Sequence, residues 1–460
     1  MSADLIDLTV TELLTAFASG RATPTQAVDS CLERIEETNP AFGSVVAVTA
    51  RAAYARAAVA DARWANGTPR PLEGVPYGLK DLIATAGTPT TGGSRLYADH
   101  IPSADAVLER RLAEAGAVLV AKLATFEFGL GGSSTGNVPN PRDAARTAGG
   151  SSSGSGAAVA LGQVPLAIGT DTAGSIRIPS AFCGISGLKA TFGRVPSRGI
   201  LGSTWSMSYA GPMARSVEDC ARVLDVLSGP DPHRTFQLPD DGPFHDAVTR
   251  DVAGMRLARD RRSFERSMHP AVAEAYELAL LEVQELGVEL VDVALPHFDE
   301  LLTAAWTIIY AEALSTHHSH LDRLEELDEM TAGLLGAAPF VSALDYLRAL
   351  RLRRFFQGEL ERAMEGCDLL VTPGLTALPP VLGESMMADL GDRQVPWLDA
   401  ACTPNVAFNL TGNPALVVPA GRIDGLPSSL QFVARPRDEA ALLALGGAYQ
   451  RATRHHVFSA

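Results

Sequence analysis

Apolar positions in the first seventy residues recur at helical spacing. Val28, Cys31, Leu32 and Ile35 fall at i, i+3, i+4 and i+7, which is one face of a helix. Helix starts are marked as well. Thr9 with Glu12 and Thr23 with Gln26 have the capping-box spacing, and Pro24 sits at the first helical position. Gly20 is predicted to close the first helix, and Asn39 with Pro40 to end the second. An alanine-rich run over residues 50–64 predicts a third helix, stopping at Asn66 and Gly67.

From Gly74 onward short apolar runs alternate with helical stretches. A strand is predicted in the run that ends at Lys80, a helix over 105–115 and a buried strand over 117–121. A helix over 157–162 and a strand over 164–169 follow. This alternation predicts an α/β layered architecture. After a weakly patterned stretch at 230–256 come a helix over 270–286 and a strand over 288–293. Two long helices run up to Met364, and a strand follows Cys367. Residues 373–404 read as loop, and strands are predicted from Ala415 and Ser429. With no repeat, linker or evident boundary, one domain over residues 1–460 is the expectation.

Composition narrows the function classes. The 460 residues are 46% hydrophobic, enough for a large core. A net charge of −15 argues against nucleic acid as a partner, since phosphate contacts need clustered Lys and Arg. Only 20% of residues are charged, too few for a disordered acidic protein. Five scattered cysteines contain no Cys-x-x-Cys pair, so buried thiols are expected. The first residues are acidic where a secretory leader is basic, and the apolar runs are broken by Gly, Pro or Gln. A cytoplasmic protein with no membrane partner is the expectation.

The chemistry concentrates in two turns. Gly149, Gly150, Ser151, Ser152, Ser153 and Gly154 form a glycine-rich serine loop. Asp171, Thr172, Ala173, Gly174, Ser175, Ile176, Arg177, Ile178 and Pro179 form a second small-residue turn. A hydroxyl becomes a nucleophile only when a base takes its proton and donors hold the oxyanion. None of the ten histidines has a glycine-rich or strand-end context. His317, His318 and His320 lack a carboxylate at ligand spacing, and a solvated group is expected there in preference to a metal site. Lys80 ends an apolar run where burial would lower its pKa. The residues alone leave three readings of it open, a base, a partner of Asp81 or a side chain that snorkels to solvent. Asp171 and Arg177 are expected to pair, Ser152 and Ser153 to bond within their loop, and Lys122 to be structural. Arg348, Arg351, Arg353 and Arg354 read as a solvated helix face.

These motifs, in order with Gly74-Val-Pro-Tyr-Gly-Leu-Lys-Asp upstream, resemble the amidase signature family. The resemblance runs from about residue 72 to 219 and returns weakly at Val371, Asn409 and Gly425. It implies a single three-layer α/β/α domain around a central mixed sheet. Residues 1–70 would be N-terminal helices, 72–220 the signature core, 230–404 a variable pocket region and 405–460 a return to the core. Ser175 matches the nucleophile, Ser151 the bridging serine after a cis peptide, and Lys80 the base. The backbone N–H groups of Thr172, Ala173, Gly174 and Ser175 match the oxyanion hole. Neither cofactor nor metal is implied, and a homodimer is compatible.

Two positions depart from the pattern. Ala173 replaces a common glycine, and Ser208 stands where many members carry Asp. The arginine-containing segment found in the A subunits of glutamine-dependent tRNA amidotransferases is missing near residues 330–336. That favours a stand-alone amidase; the alternative is an amidotransferase component of the A type. Phe126, Phe128, Gly129, Leu130, Trp205 and Tyr209 near the motifs suggest the substrate pocket. Their character points to an aryl or apolar amide, carbamate or ester, as for an aryl acylamidase or urethanase. Two rival classes share the serine loop. Ser152 fits the nucleophile elbow of an α/β-hydrolase esterase but lacks a convincing downstream Asp and His. Gly149 to Gly154 has nucleotide-loop spacing but lacks the lysine that would follow.

Overall fold

The computed structural model describes residues 5–133, 137–231, 238–383 and 386–457. Residues 1–4, on which the leader reading rests in part, lie outside them. Eleven strands form one mixed sheet. From one edge the order is Val45–Val48, Val118–Leu123, Pro76–Lys80, Leu166–Asp171, Tyr209–Ala214 and Ser186–Lys189. It continues through Ala415–Ile423, Leu426–Ala434, Leu369–Pro373, Arg256–Arg259 and Glu289–Asp292. Pro76–Lys80 lies parallel between Val118–Leu123 and Leu166–Asp171, while Tyr209–Ala214 runs antiparallel to the latter.

Alternation along the strands makes the layers. Leu369 and Val371 enter one core with Leu416, Val418, Leu442 and Leu445. Leu370, between them, enters another with Ala415, Val433, Ile308 and Phe356. Successive side chains of a strand point to opposite faces, so both faces are covered. Helices Val217–Leu227, Pro270–Glu285 and Glu439–Thr453 cover the first face. Phe298–His317, Ala343–Ala363 and Trp397–Thr411 cover part of the second, with Pro24–Phe42 and Ala50–Ala65 further along it.

Both capping boxes form, at Thr9 with Glu12 and at Thr23 with Gln26. Four expectations change. Pro40 does not end its helix, which runs to Phe42 and closes on Gly43 in the left-handed region. The N-terminal helices are interrupted by an edge strand, Val45–Val48, too short to carry a pattern. The helix behind the serine loop starts earlier, at Ser153, inside the triple-serine run. Residues 373–404 are not all loop: Met387–Asp389 pairs with Gln394–Pro396, and helix Trp397–Thr411 passes through Pro404. Proline there removes a donor to the carbonyl four residues back. That carbonyl, on Ala400, accepts instead from Thr376 Oγ1 at 2.9 Å.

All five cysteines are buried free thiols. Among the described residues no single helix is long and apolar enough to cross a membrane. Glu329–Phe340 and Ala343–Ala363 pass on length and composition only as a pair, bent by 100°.

Candidate active site

Lys80 is the last residue of its strand, and Thr170 and Asp171 end the parallel neighbour. Crevices outside the carboxyl ends of parallel strands are where α/β sheets place ligands. The serine loop lies across this end. Its following helix is built of Gly, Ala, Ser and Val because the space is small: a Cβ on Gly154 would lie 2.3 Å from Ala124 N. The Gly150–Ser151 peptide is cis.

Lys80 Nζ lies 2.7 Å from Ser151 Oγ and 2.8 Å from Thr170 Oγ1. It is fully buried and forms no ion pair among the described residues. Burial pushes its amine well below the ordinary lysine range, against the opposing field of Asp171. Pairing with Asp81 fails because Asp81 faces Lys122, 3.4 Å away, and accepts from Thr91, and full burial leaves Lys80 no path to solvent. Lys122 also donates to Ile83 O and Thr90 Oγ1, a structural role.

The second turn is fixed from beneath. Arg177 donates through Nε and Nη2 to the two oxygens of Asp171, at 2.9 Å each, with both side chains wholly buried. Asn409 Nδ2 adds a third bond to that carboxylate at 2.8 Å. Burial alone would raise the Asp171 pKa, but Arg177 and Asn409 hold it well below the usual carboxylate range. The same carboxylate accepts from the Gly174 and Ile176 N–H groups. Gly174 N–H is thereby already engaged, which removes it from the four expected oxyanion donors. The N–H groups of Thr172, Ala173 and Ser175 have no acceptor among the described residues. Gly174 has φ +116°, and a Cβ there would meet Asn405 Cβ at 2.8 Å, so the turn requires glycine.

Two cavities meet beside the second turn, and Ser175 lines the smaller of them. One of about 40 Å³ is lined by both Ser151 and Ser175, with Phe126, Trp306, Leu334 and Leu398 among its apolar walls. Ser151 and Ser175 share it without a hydrogen bond between their hydroxyls, as is common before substrate tightens a site. The second, of about 110 Å³, is rich in hydroxyls and includes Thr170, Thr172, Thr204 and Ser208. Gly129 and Thr172 belong to both, and among the described residues no acidic or basic side chain lines either.

The expected pocket residues all lie in these walls. Phe128, Trp205 and Tyr209 line the larger cavity, Leu130 and Phe126 the smaller, and Gly129 both. Trp205 is half exposed at the rim. Tyr209 is held by its hydroxyl, which donates to Asn409 O, and by Lys189 Nζ, 3.8 Å above its ring. Ser208 is bonded to Thr172 Oγ1 at 2.7 Å, so it braces the second turn. Ser152 is fully buried, donates to Thr170 O and accepts from Thr170 N, which leaves its hydroxyl no path to a substrate.

Two expectations are corrected here. His317 is not solvated: it is buried, stacked on Phe128 at 4.5 Å, and its Nε2 lies 2.9 Å from Ser203 Oγ. Ser203 spends its own proton on Phe128 O, so His317 holds its proton on Nε2. Burial, with a smaller effect from His320, pushes the His317 pKa down to about 4. Arg353 is half-buried over the Phe192 ring, unlike the exposed Arg348, Arg351 and Arg354. Sequence reasoning missed Trp306, Ile309, Leu334, Leu398 and Cys402, which reach the smaller cavity from three helices of the variable region.

A family model described as Amidase matches residues 26–443. The A subunit of the glutamyl-tRNA(Gln) amidotransferase of Chloroflexus aurantiacus is 39% identical, with 99% of this chain and 98% of the relative aligned. A structure from an inhibitor-bound complex, described as vestigial and as revealing the origins of an s-triazine catabolic enzyme, superposes with TM-score 0.92 at 31% identity. That match covers 97% of this chain and 99% of the other. A bacterial aryl acylamidase of the amidase signature family superposes with TM-score 0.88 at 25% identity, covering 98% of each chain.

Proposed function

The chain belongs to the amidase signature family of enzymes that act on carbon–nitrogen bonds, and on that premise we propose that it hydrolyses an uncharged carboxylic amide through an acyl-enzyme at Ser175. The observation that carries the mechanism is the lysine: Lys80 is buried, and among the described residues its only hydrogen-bond partners are the hydroxyls of Ser151 and Thr170. An ammonium there would be an unpaired buried charge, so the amine is neutral and its lone pair faces Ser151 Oγ–H. Lys80 takes the Ser151 proton as Ser151 takes that of Ser175. Ser175 Oγ then bonds to the amide carbon, and the N–H groups of Thr172, Ala173 and Ser175 receive the oxyanion. As the C–N bond breaks, the proton returns through Ser151 to the leaving nitrogen. Water, deprotonated by the same relay, then releases the acid and regenerates Ser175.

Activity is expected to rise with pH through the folded-state pKa of Lys80, because only the neutral amine accepts a proton. A pH profile of kcat/KM checks this, and a flat profile from mildly acidic to alkaline pH would count against the lysine base.

The amide itself has two readings. Similarity to amidotransferase A subunits over 99% of the chain supports glutamine as the amide and further protein chains as partners. The uncharged walls of both cavities support a neutral, apolar amide, with aryl amides, carbamates and esters as neighbouring candidates. Glutamine carries a carboxylate and an ammonium, and burying either unpaired costs several kcal/mol, on the order of a hundredfold or more in affinity. A panel of glutamine, anilides, primary alkyl amides, carbamates and esters separates them. Neutral amides are expected to exceed glutamine in kcat/KM by at least about a hundredfold. Glutamine as the best substrate would establish the amidotransferase reading instead. We also read residues 1–460 as a single domain, since strands from both ends of the chain share one sheet.

A further inference from the structure

The larger cavity carries a second feature beyond its lack of charge. Thr204 lines it, is 1% exposed, and its hydroxyl has no hydrogen-bond partner among the described residues. Buried hydroxyls in folded proteins are almost always paired, and leaving one unpaired is costly. Slack in the loop does not explain it, because both sides of Thr204 are tied to helix Phe298–His317. Thr316 Oγ1 donates to Ser203 O, His317 Nε2 bonds to Ser203 Oγ, and Ser206 N donates to Glu312.

The neighbouring hydroxyls fix the ligand's polarity. Ser203 and Tyr209 have spent their protons on Phe128 O and Asn409 O. Thr170 Oγ1 accepts from Lys80 and keeps its own proton. In the Thr172–Ser208 pair one hydroxyl donates to the other, so one proton remains. Together with Thr204 the cavity presents spare O–H donors and no charge, a set that matches a neutral acceptor oxygen.

We propose that this cavity is a substrate subsite for a neutral carbonyl-type oxygen, so that the preferred amide carries a second amide, urea or imide carbonyl beside the scissile bond. Thr204 sets that preference. The smaller cavity, walled by Trp306, Leu334 and Leu398, takes the apolar end. This rests on the Ser175 reading and deepens it.

The test uses matched amides that differ only in a carbonyl group against a methylene outside the scissile amide. The wild-type protein is expected to prefer the carbonyl member in kcat/KM, Thr204→Val to lower that preference about tenfold, and Thr204→Ser to keep it. No preference in the wild-type protein, or the same preference in Thr204→Val, overturns the subsite. The wild-type ratio decides the matter even if the valine variant fails to fold. The catalytic reading fails separately: Ser175→Ala turning over either member would overturn that reading, whatever Thr204 does.

Discussion

Replacing Arg177 by Met is expected to destabilise the protein by about 3–5 kcal/mol and to remove amide turnover with it. The guanidinium is wholly buried and uses three nitrogens: Nε and Nη2 on Asp171, Nη2 also on Asn409 Oδ1 at 2.6 Å, and Nη1 on Gln431 Oε1 at 2.8 Å and Asn405 O at 3.0 Å. Methionine fills part of the volume and supplies no donor, so the Asp171 carboxylate keeps only Asn409 and two backbone N–H groups. Removing one partner of a buried pair leaves an uncompensated charge, which is far costlier than replacing both. Arg177→Lys is expected to recover little, because an ammonium cannot reproduce the fork. The sign with pH follows from the depressed Asp171 pKa: its stabilisation is complete above the unfolded carboxylate pKa and is lost as pH falls through the folded value. The variant is therefore expected to lose most at neutral pH. Urea unfolding at pH 7 measures it, and a change under about 1 kcal/mol would contradict the account.

The largest effect on rate is expected at the relay. Ser175→Ala and Lys80→Met should each lower kcat/KM by about 10⁴–10⁶, and the double variant should be no worse than the worse single one, since residues of a relay act as a unit. Neither change should unfold the protein. Ser175 faces a cavity, and methionine at 80 removes a buried amine that must otherwise shed its proton. Ser152→Ala serves as the contrast. It removes two hydrogen bonds to Thr170, so a modest stability loss of about 1–2 kcal/mol is expected while turnover persists. Steady-state kinetics beside thermal melts separate these variants.

What is legible in the sequence is local. The serine loop, the second turn and the strand ending in Lys80 announce themselves because hydroxyls, small residues and a buried lysine each have a restricted use, and their order in the chain is characteristic. Capping boxes at Thr9 and Thr23 are legible for the same reason. What stays hidden depends on contacts that only the folded chain makes, most of them far along the sequence. Gly174 N–H reads as available in the sequence, yet the Asp171 carboxylate accepts it. Pro40 reads as a helix end and Pro404 as the end of a loop, yet both lie inside helices. Pro404 is tolerated because Thr376 satisfies the freed Ala400 carbonyl. His317 reads as one of a solvated group, and only its stacking on Phe128 shows it packed against a residue of the pocket wall. Trp306 and Leu334 lie in a stretch that reads simply as apolar helix, and Leu398 in one that reads as loop, so nothing local marks them as cavity lining.

The central claim is that Ser175, activated through Ser151 by a neutral Lys80, is the residue that bonds to the substrate carbonyl. The measurement that tests it most directly is covalent labelling with a small sulfonyl fluoride, followed by peptide mapping of the modified serine in the wild-type and Lys80→Met proteins. The account predicts one label, on Ser175, that forms with the loss of activity and is strongly slowed in Lys80→Met. A label on Ser152, or loss of activity with Ser175 unmodified, would contradict it.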